Sequence, residues 1–206
     1  MAQGVMGELL DELLGKGNYA IGIDEAAFYG PKLDIQMRNV HGKEDTLVTI
    51  QIDMLLAKKF GMEYTDSNDE RVTPYIIHRT SLGCYERTLA LLLEKYAGAL
   101  PMWMAPEQAR FLPIGDDQAE YANKLAERLE DEGIRVTVDA RNEKIGYKIR
   151  AAQLEKVPFM LVIGEKEMNE SSVAVRSRKT GDMGVMSADE FVAFAKQQVA
   201  DKVLDN

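Results

Sequence analysis

The stretch HRTSLGCYERTLALLLEKYAG, His78 to Gly98, decides how the first half of this chain is read. It follows a β-prone run, Tyr75-Ile76-Ile77, and then turns helical. Ser81 is placed to cap a helix running from Leu82 to Tyr96, and Gly98 to stop it. Leu82, Leu89, Leu92, Leu93 and Tyr96 fall on one stripe of that helix, as a core-facing surface should. Gly83, Arg87 and Leu91 fall elsewhere, and Cys84 shares one side with Arg87. A strand that ends in His-Arg and feeds such a helix gathers polar groups where strand meets helix.

Upstream, Met6 to Leu14 reads as a short amphipathic helix ended by Gly15-Lys16-Gly17. Tyr19–Ile23, Leu33–Arg38 and Thr46–Met54 alternate like strands. His41-Gly42-Lys43 has turn composition, so the last two form an antiparallel hairpin. Asp66 to Glu70 is a polar loop and Tyr75–His78 a further strand. Downstream, Pro101 and Pro106 punctuate the chain and suggest a boundary between residues 104 and 107, hence domains 1–104 and 105–206. Beyond it, strands Ala109–Ile114, Ile134–Val138, Phe159–Ile163 and Val173–Arg178 alternate with helices Gln118–Glu132, Ile145–Leu154 and Ala188–Val203. The first domain is thus α+β and the second α/β, with a mixed, partly parallel sheet.

The bulk composition excludes several classes. The 206 residues, 46% hydrophobic, suffice for one large or two small domains. No apolar run approaches the about 18 residues of a membrane helix. The first residues carry acids and no basic region, unlike a secretory signal. Cys84 is the only cysteine, which rules out an internal disulfide and fits a reducing cytoplasm. A net charge of -9 argues against a general nucleic-acid coat. Yet Asp139 to Lys179 holds nine basic and six acidic residues, a local net of +3. That segment is either a solvated face or a basic binding surface.

Chemistry could sit in three places. In AFYGPKLDIQ, Gly30 and Pro31 hold Tyr29 and Lys32 at defined positions at the mouth of a strand. Across the hairpin Thr49, Gln51 and Asp53 share one face and Ile50 and Ile52 the other; the polar face is either a binding floor or a solvent face. His78 is either a hydrogen-bonded core histidine or a ligand, and spacing alone predicts no metal site. Arg87 seeks phosphate or carboxylate, or an ion pair with Glu86 or Asp53. In DARNEKIGYKIR, Arg141, Lys144, Lys148 and Arg150 surround one loop and helix, Asn142 can read base edges, and Tyr147 or Phe159 could stack a base. Arg176 and Arg178 fall on one face of a later strand. These residue types suit a single-stranded RNA loop.

AFYGPK (Ala27–Lys32), T-x-Q-x-D (Thr49–Asp53), HR-x-x-LG-x-x-ER (His78–Arg87), RNEKIGYKIR (Arg141–Arg150) and VPFMLV-x-G-x-KE (Val157–Glu167) together resemble the threonyl-tRNA synthetase family, in its order and spacing over nearly the whole chain. The resemblance implies that residues 1–104 are a partial class II catalytic domain, an antiparallel sheet closed by the motif 3 helix. It implies that residues 105–206 are an anticodon-binding domain. In a complete enzyme ATP, with Mg, and threonine form threonyl adenylate, and the threonyl group passes to threonine tRNA. A zinc ion holds the threonine amine and hydroxyl. On this chain His78 corresponds to one of three zinc ligands, and Arg87 to the motif 3 arginine that stacks on or neutralises the nucleotide. Lys32 corresponds to a catalytic lysine near the reacting phosphate, and Tyr29, Thr49 and Gln51 to the pocket for threonine and adenylate. Asn142, Arg150, Glu167 and Arg176 match anticodon-reading positions.

The departures also carry expectations. Motifs 1 and 2, the other two zinc ligands and the editing and amino-terminal domains have no counterpart here. Cys84 stands where the family has serine, and Ala26 where it has glycine. The chain is therefore expected to be a carboxy-terminal portion, inactive alone and unable to retain zinc, of an enzyme that is a homodimer and cytoplasmic. The competing expectations are a stand-alone anticodon-binding module and a truncated paralogue without catalytic activity.

Overall fold

The computed structural model describes residues 2–204, and the chain divides into two compact units, 1–94 and 95–206. Unit 1 opens with helix α1 (Ala2–Leu14), which stops at Gly15, a glycine with positive φ. A hairpin of β1 (Lys32–Arg38) and β2 (Glu44–Asp53) follows. Asn39 Oδ1 accepts from the amides of His41 (3.0 Å) and Lys43 (3.1 Å), an Asx-type turn that Gly42 completes at φ 76°. A short helix α2 (Leu56–Lys59) and a two-residue ribbon, β3 (Tyr64–Thr65) with β4 (Arg71–Val72), lead to β5 (Ile76–Thr80) and helix α3 (Tyr85–Lys95). The main sheet is antiparallel in the order β1-β2-β5, with Lys32 opposite Gln51, Asp34 opposite Thr49, and Gln51 opposite His78.

Three features of unit 1 differ from the sequence reading. Tyr19–Ile23 forms no strand: no neighbouring strand pairs with it, and Ile21 and Ile23 are exposed. The helix begins at Tyr85 rather than Leu82, because Gly83 adopts φ 64° and a side chain there would lie 2.8 Å from the Leu47 carbonyl oxygen. The stripe is also inverted, since Leu91 is the buried residue of α3 while Leu82, Leu89 and Leu93 are exposed. Among the described residues of unit 1, only Asp53, Ala57 and Leu91 are buried, so this unit lacks a dry core of the kind unit 2 has.

Unit 2 is a five-stranded sheet in the order β10-β9-β8-β6-β7. Strands β6 (Ala109–Pro113), β7 (Val136–Val138) and β8 (Phe159–Ile163) run parallel. Strands β9 (Ser172–Ser177) and β10 (Gly181–Ser187) add antiparallel neighbours. Helices α4 (Asp116–Asp131), α5 (Ile145–Leu154), α6 (Glu165–Asn169) and α7 (Ala188–Ala200) connect and close it. Side chains alternate between two cores. Phe111, Phe159, Leu161 and Val175 meet α4 and α7 on one face, while Leu112 and Met160 meet Ala152 and Ile149 of α5 on the other. Phe159, Phe191 and Phe194 pack edge to face or tilted, with centroids 5.3 to 6.3 Å apart. Each such buried ring contributes roughly 1.5–3 kcal/mol. Phe159 is therefore core and cannot stack a base. Arg178 lies past the end of β9, and its guanidinium donates to the carbonyls of Ala99, Leu100 and Lys156, which removes it from any RNA-facing set. Among the described residues no helix is long and apolar enough to cross a membrane.

Candidate functional site

The polar face of the unit 1 sheet is one connected chain of hydrogen bonds. Lys32 Nζ donates to Asp34 Oδ2 at 2.7 Å, and Thr49 Oγ1 donates to Asp34 Oδ1 at 2.6 Å. Gln51 Nε2 reaches Thr49 Oγ1 at 3.3 Å, and the Tyr29 hydroxyl donates to Gln51 Oε1. The Tyr29 ring lies 5.6 Å from the His78 imidazole. Strand pairing alone sets this spacing, since alternate residues on neighbouring strands stand side by side on one face. Tyr29 reaches the sheet because Gly30 passes hard against β2, where a Cβ would collide with the Ile52 carbonyl oxygen. Burial pushes the Asp34 carboxyl up, but the bonds from Lys32 and Thr49 outweigh it and hold the group below its usual range.

At the buried end of this face lies a residue whose role the sequence did not reveal. Asp53 is fully buried. Its Oδ1 accepts the amides of Leu55 and Leu56, both at 2.9 Å, and its Oδ2 pairs with His78 Nε2 at 3.0 Å. Burial raises the Asp53 carboxyl, while His78 and the two amides lower it further, so it stays ionised. An ionised carboxylate can only accept, so His78 Nε2 is the donor, and Nδ1 makes no hydrogen bond among the described residues. Asp53 thus pairs with His78 and not with Arg87. Arg87 instead donates from α3 to the Thr46 carbonyl at 2.9 Å, and it makes no bond to Tyr29, Gln51 or His78. A tetrahedral metal site needs three or four ligands. Among the described residues no group of three His, Cys, Asp or Glu side chains gathers, so His78 fits one position of such a site and the described residues do not complete it.

In unit 2 the carboxyl ends of β6, β7 and β8 share one edge of the sheet. The connection from β6 leads to β7 on one side, and that from β8 leads to β9 on the other. Such a divergence opens a crevice where α/β sheets bind ligands. The loops there are Ile114-Gly115, Asp139–Lys144 and Gly164. Asn142 sits exposed in the second. Arg150 is exposed on α5, and Arg176 on β9 lies opposite Met160, on the α5 face of the sheet. Arg176 Nε is buried without a partner, and its NH1 is 3.6 Å from Asp182. The Glu167 carboxylate accepts the Gly164 amide at 2.9 Å and so caps its own helix. Tyr147 is 54% exposed with the Arg141 guanidinium 5.7 Å above its ring, which leaves one aromatic available for stacking. Lys148, by contrast, is buried.

Residues 5–96 match the family described as "tRNA synthetase class II core domain (G, H, P, S and T)", and residues 108–198 match "Anticodon binding domain". Catalytic-core sheet and anticodon-binding domain in this order define a class II aminoacyl-tRNA synthetase. The chain is 56% identical over 97% of its length to the threonine–tRNA ligase of Clostridium perfringens (strain 13 / Type A), of which it covers 31%. It is 54% identical, with the same coverage, to that of Clostridium botulinum (strain Eklund 17B / Type B). The crystal structure of the RNA binding domain of threonyl-tRNA synthetase from Cryptosporidium parvum Iowa II superposes with a TM-score of 0.84 at 33% identity, covering 95% of this chain and 49% of that one. The chain belongs to the threonyl-tRNA synthetase family, and it spans about a third of the length of the curated relatives it matches.

Proposed function

We propose that this chain contributes the motif 3 side of an active site and the anticodon reader of a threonine–tRNA ligase. The overall reaction joins the threonine carboxylate to the α-phosphorus of ATP with loss of pyrophosphate, then transfers the threonyl group to a hydroxyl of the terminal ribose of threonine tRNA with release of AMP. The observation that carries the reading is the connected face of Tyr29, Lys32, Asp34, Thr49 and Gln51 beside His78. A polar floor favours a ligand with a hydroxyl, because a methyl isostere would cover those groups without offering any of them a partner. Lys32, released from Asp34, would meet negative charge growing on the phosphate, and Arg87 would stack on or neutralise the nucleotide. Zinc, when bound, would hold the amine and hydroxyl of threonine, and His78 would supply one of its ligands through Nδ1, the ring nitrogen turned away from Asp53. ATP with Mg is the second substrate, and a homodimer in a reducing cytoplasm belongs to the same reading. In unit 2, Asn142, Arg150, Glu167 and Arg176 would read the unstacked anticodon bases, Asn142 and Glu167 from the crevice and Arg176 from β9 opposite Met160, toward the amino end of β8.

The test is calorimetric titration of the chain with a non-hydrolysable threonyl-adenylate mimic. Gln51→Ala and Lys32→Ala should each weaken binding by about tenfold, the loss of one charge-assisted or buried hydrogen bond. Binding that is the same in both variants as in the parent contradicts the placement of the pocket.

A further inference from the structure

Lys148 breaks the ordinary rule for lysines. It is 3% exposed, yet it carries an ammonium, which is costly to bury unless hydrogen-bonded. Its Nζ donates to the Pro113 carbonyl at 2.8 Å and to the Asp139 carbonyl at 3.0 Å. Pro113 is the last residue of β6, and Asp139 is the first after β7. One side chain of α5 therefore ties together the end of a central strand and the start of the β7–α5 loop. The same loop is pinned a second time. The buried Asp139 carboxylate accepts from Arg141 through the backbone amide (3.2 Å), Nε (2.8 Å) and NH2 (2.6 Å). The Arg141 carbonyl then accepts the Glu143 amide at 2.9 Å.

Asn142 stands between these anchors, exposed, and its side-chain amide bonds to nothing among the described residues. Lys148, Arg141 and Asn142 line one small pocket of about 30 Å³. A methionine would fill the space under β6 with no charge to compensate. What the ammonium adds is a fixed loop. A loop ordered before binding loses no conformational freedom on binding, so a free amide carried on it can select a base edge more sharply.

We propose that Lys148 is a positioning residue for RNA reading: it holds the Asp139–Asn142 segment so that the Asn142 amide faces a base edge at a fixed place. This rests on the anticodon reading of unit 2 given above. The test uses the full chain and two transcripts, threonine tRNA and the same tRNA with a substituted anticodon, and reads the ratio of their affinities. Asn142→Ala and Lys148→Met should each lower that ratio by about tenfold, and the double variant should fall no further than either, since both remove one interaction. Amide exchange of β8 is followed in parallel and should not change. If Asn142→Ala leaves the ratio intact, the base-reading role of Asn142 fails, and the role of Lys148 with it. If Asn142→Ala lowers the ratio and Lys148→Met does not, the positioning role alone is overturned. If Lys148→Met also strips β8 of protection, the residue serves folding rather than positioning, and the proposal is again overturned.

Discussion

Asp53 and His78, 25 residues apart in sequence, meet at 3.0 Å across β2 and β5, and the carboxylate in that pair is fully buried. A buried charge with three donors converging on it fixes both the imidazole's orientation and the turn at Leu55-Leu56. The face that carries Tyr29, Thr49 and Gln51 rests on this arrangement.

Asp53→Ala removes the acceptor shared by the Leu55 and Leu56 amides and the His78 imidazole. The expected cost is about 2 kcal/mol, which accelerates exchange of the β2 and β5 amides by about 30-fold. Amide hydrogen exchange measures this locally, which matters because two units need not unfold as one transition. Exchange rates within twofold of the parent would show that the pair does not support the sheet.

Gly30→Ala places a methyl group against the Ile52 carbonyl, and neither backbone can yield without breaking the bond from the Ile52 amide to the Pro31 carbonyl at 3.0 Å. The Tyr29 ring should leave Gln51 and His78, with a loss of hairpin stability of about 3 kcal/mol, in the range for overpacking and strain. The Tyr29 ring resonances and their cross-peaks to His78 are the observable. Persistence of those cross-peaks in the variant counts against the close approach.

Much of this fold was legible in the sequence, and the gaps have physical causes. The helix at Ile145–Leu154 and the strand at Phe159–Ile163 are recovered to the residue, because long periodic or continuously apolar runs leave no competing register. The hairpin was legible for the same reason. Tyr19–Ile23 misled because strand propensity describes a half-buried surface, and nothing pairs with that segment. Strand β10 was missed because its pairing with β9 is irregular between Asp182 and Val185, around Gly184 at φ 85°. The start of α3 was misread because a serine signals a cap, whereas Gly83 answers a close approach from Leu47, far away in sequence. The same limit governs the sites. Motifs single out Tyr29, Gln51 and His78, but the roles of Asp53 and Lys148 depend on what folds against them, and no spacing announces that.

Unit 2 should show a defined acid response. The Arg141 guanidinium beside it, with the Arg141 amide and Lys148, holds the Asp139 carboxyl below the usual carboxylate range against the opposing effect of burial. A group whose folded pKa is depressed stabilises the fold above its unfolded value, about 4, and loses that contribution as pH falls through the lower folded value. The melting temperature of the Trp103-containing unit should therefore stay level between about pH 7 and 5 and fall below about pH 4. Asp139→Asn should lower it at neutral pH and flatten the acid limb. An unchanged acid limb in that variant would falsify the assignment.

Arg176 and Arg150 test base reading against phosphate attraction. Arg176→Ala should reduce discrimination between anticodons by about 5- to 100-fold, as expected for a side chain on one base edge. Arg150→Ala should likewise reduce discrimination, whereas loss of a phosphate contact would weaken both tRNAs alike and reduce the salt slope by about one. Filter binding across a salt series resolves the two. Uniform weakening in Arg176→Ala would move that residue to the phosphate class.

The most direct measurement of the whole account is the affinity of the 206-residue chain for threonine tRNA against the same tRNA with a changed anticodon, at matched salt. An anticodon-reading unit predicts a preference of at least about tenfold that persists as salt rises. Equal affinity for the two RNAs at every salt concentration would contradict it.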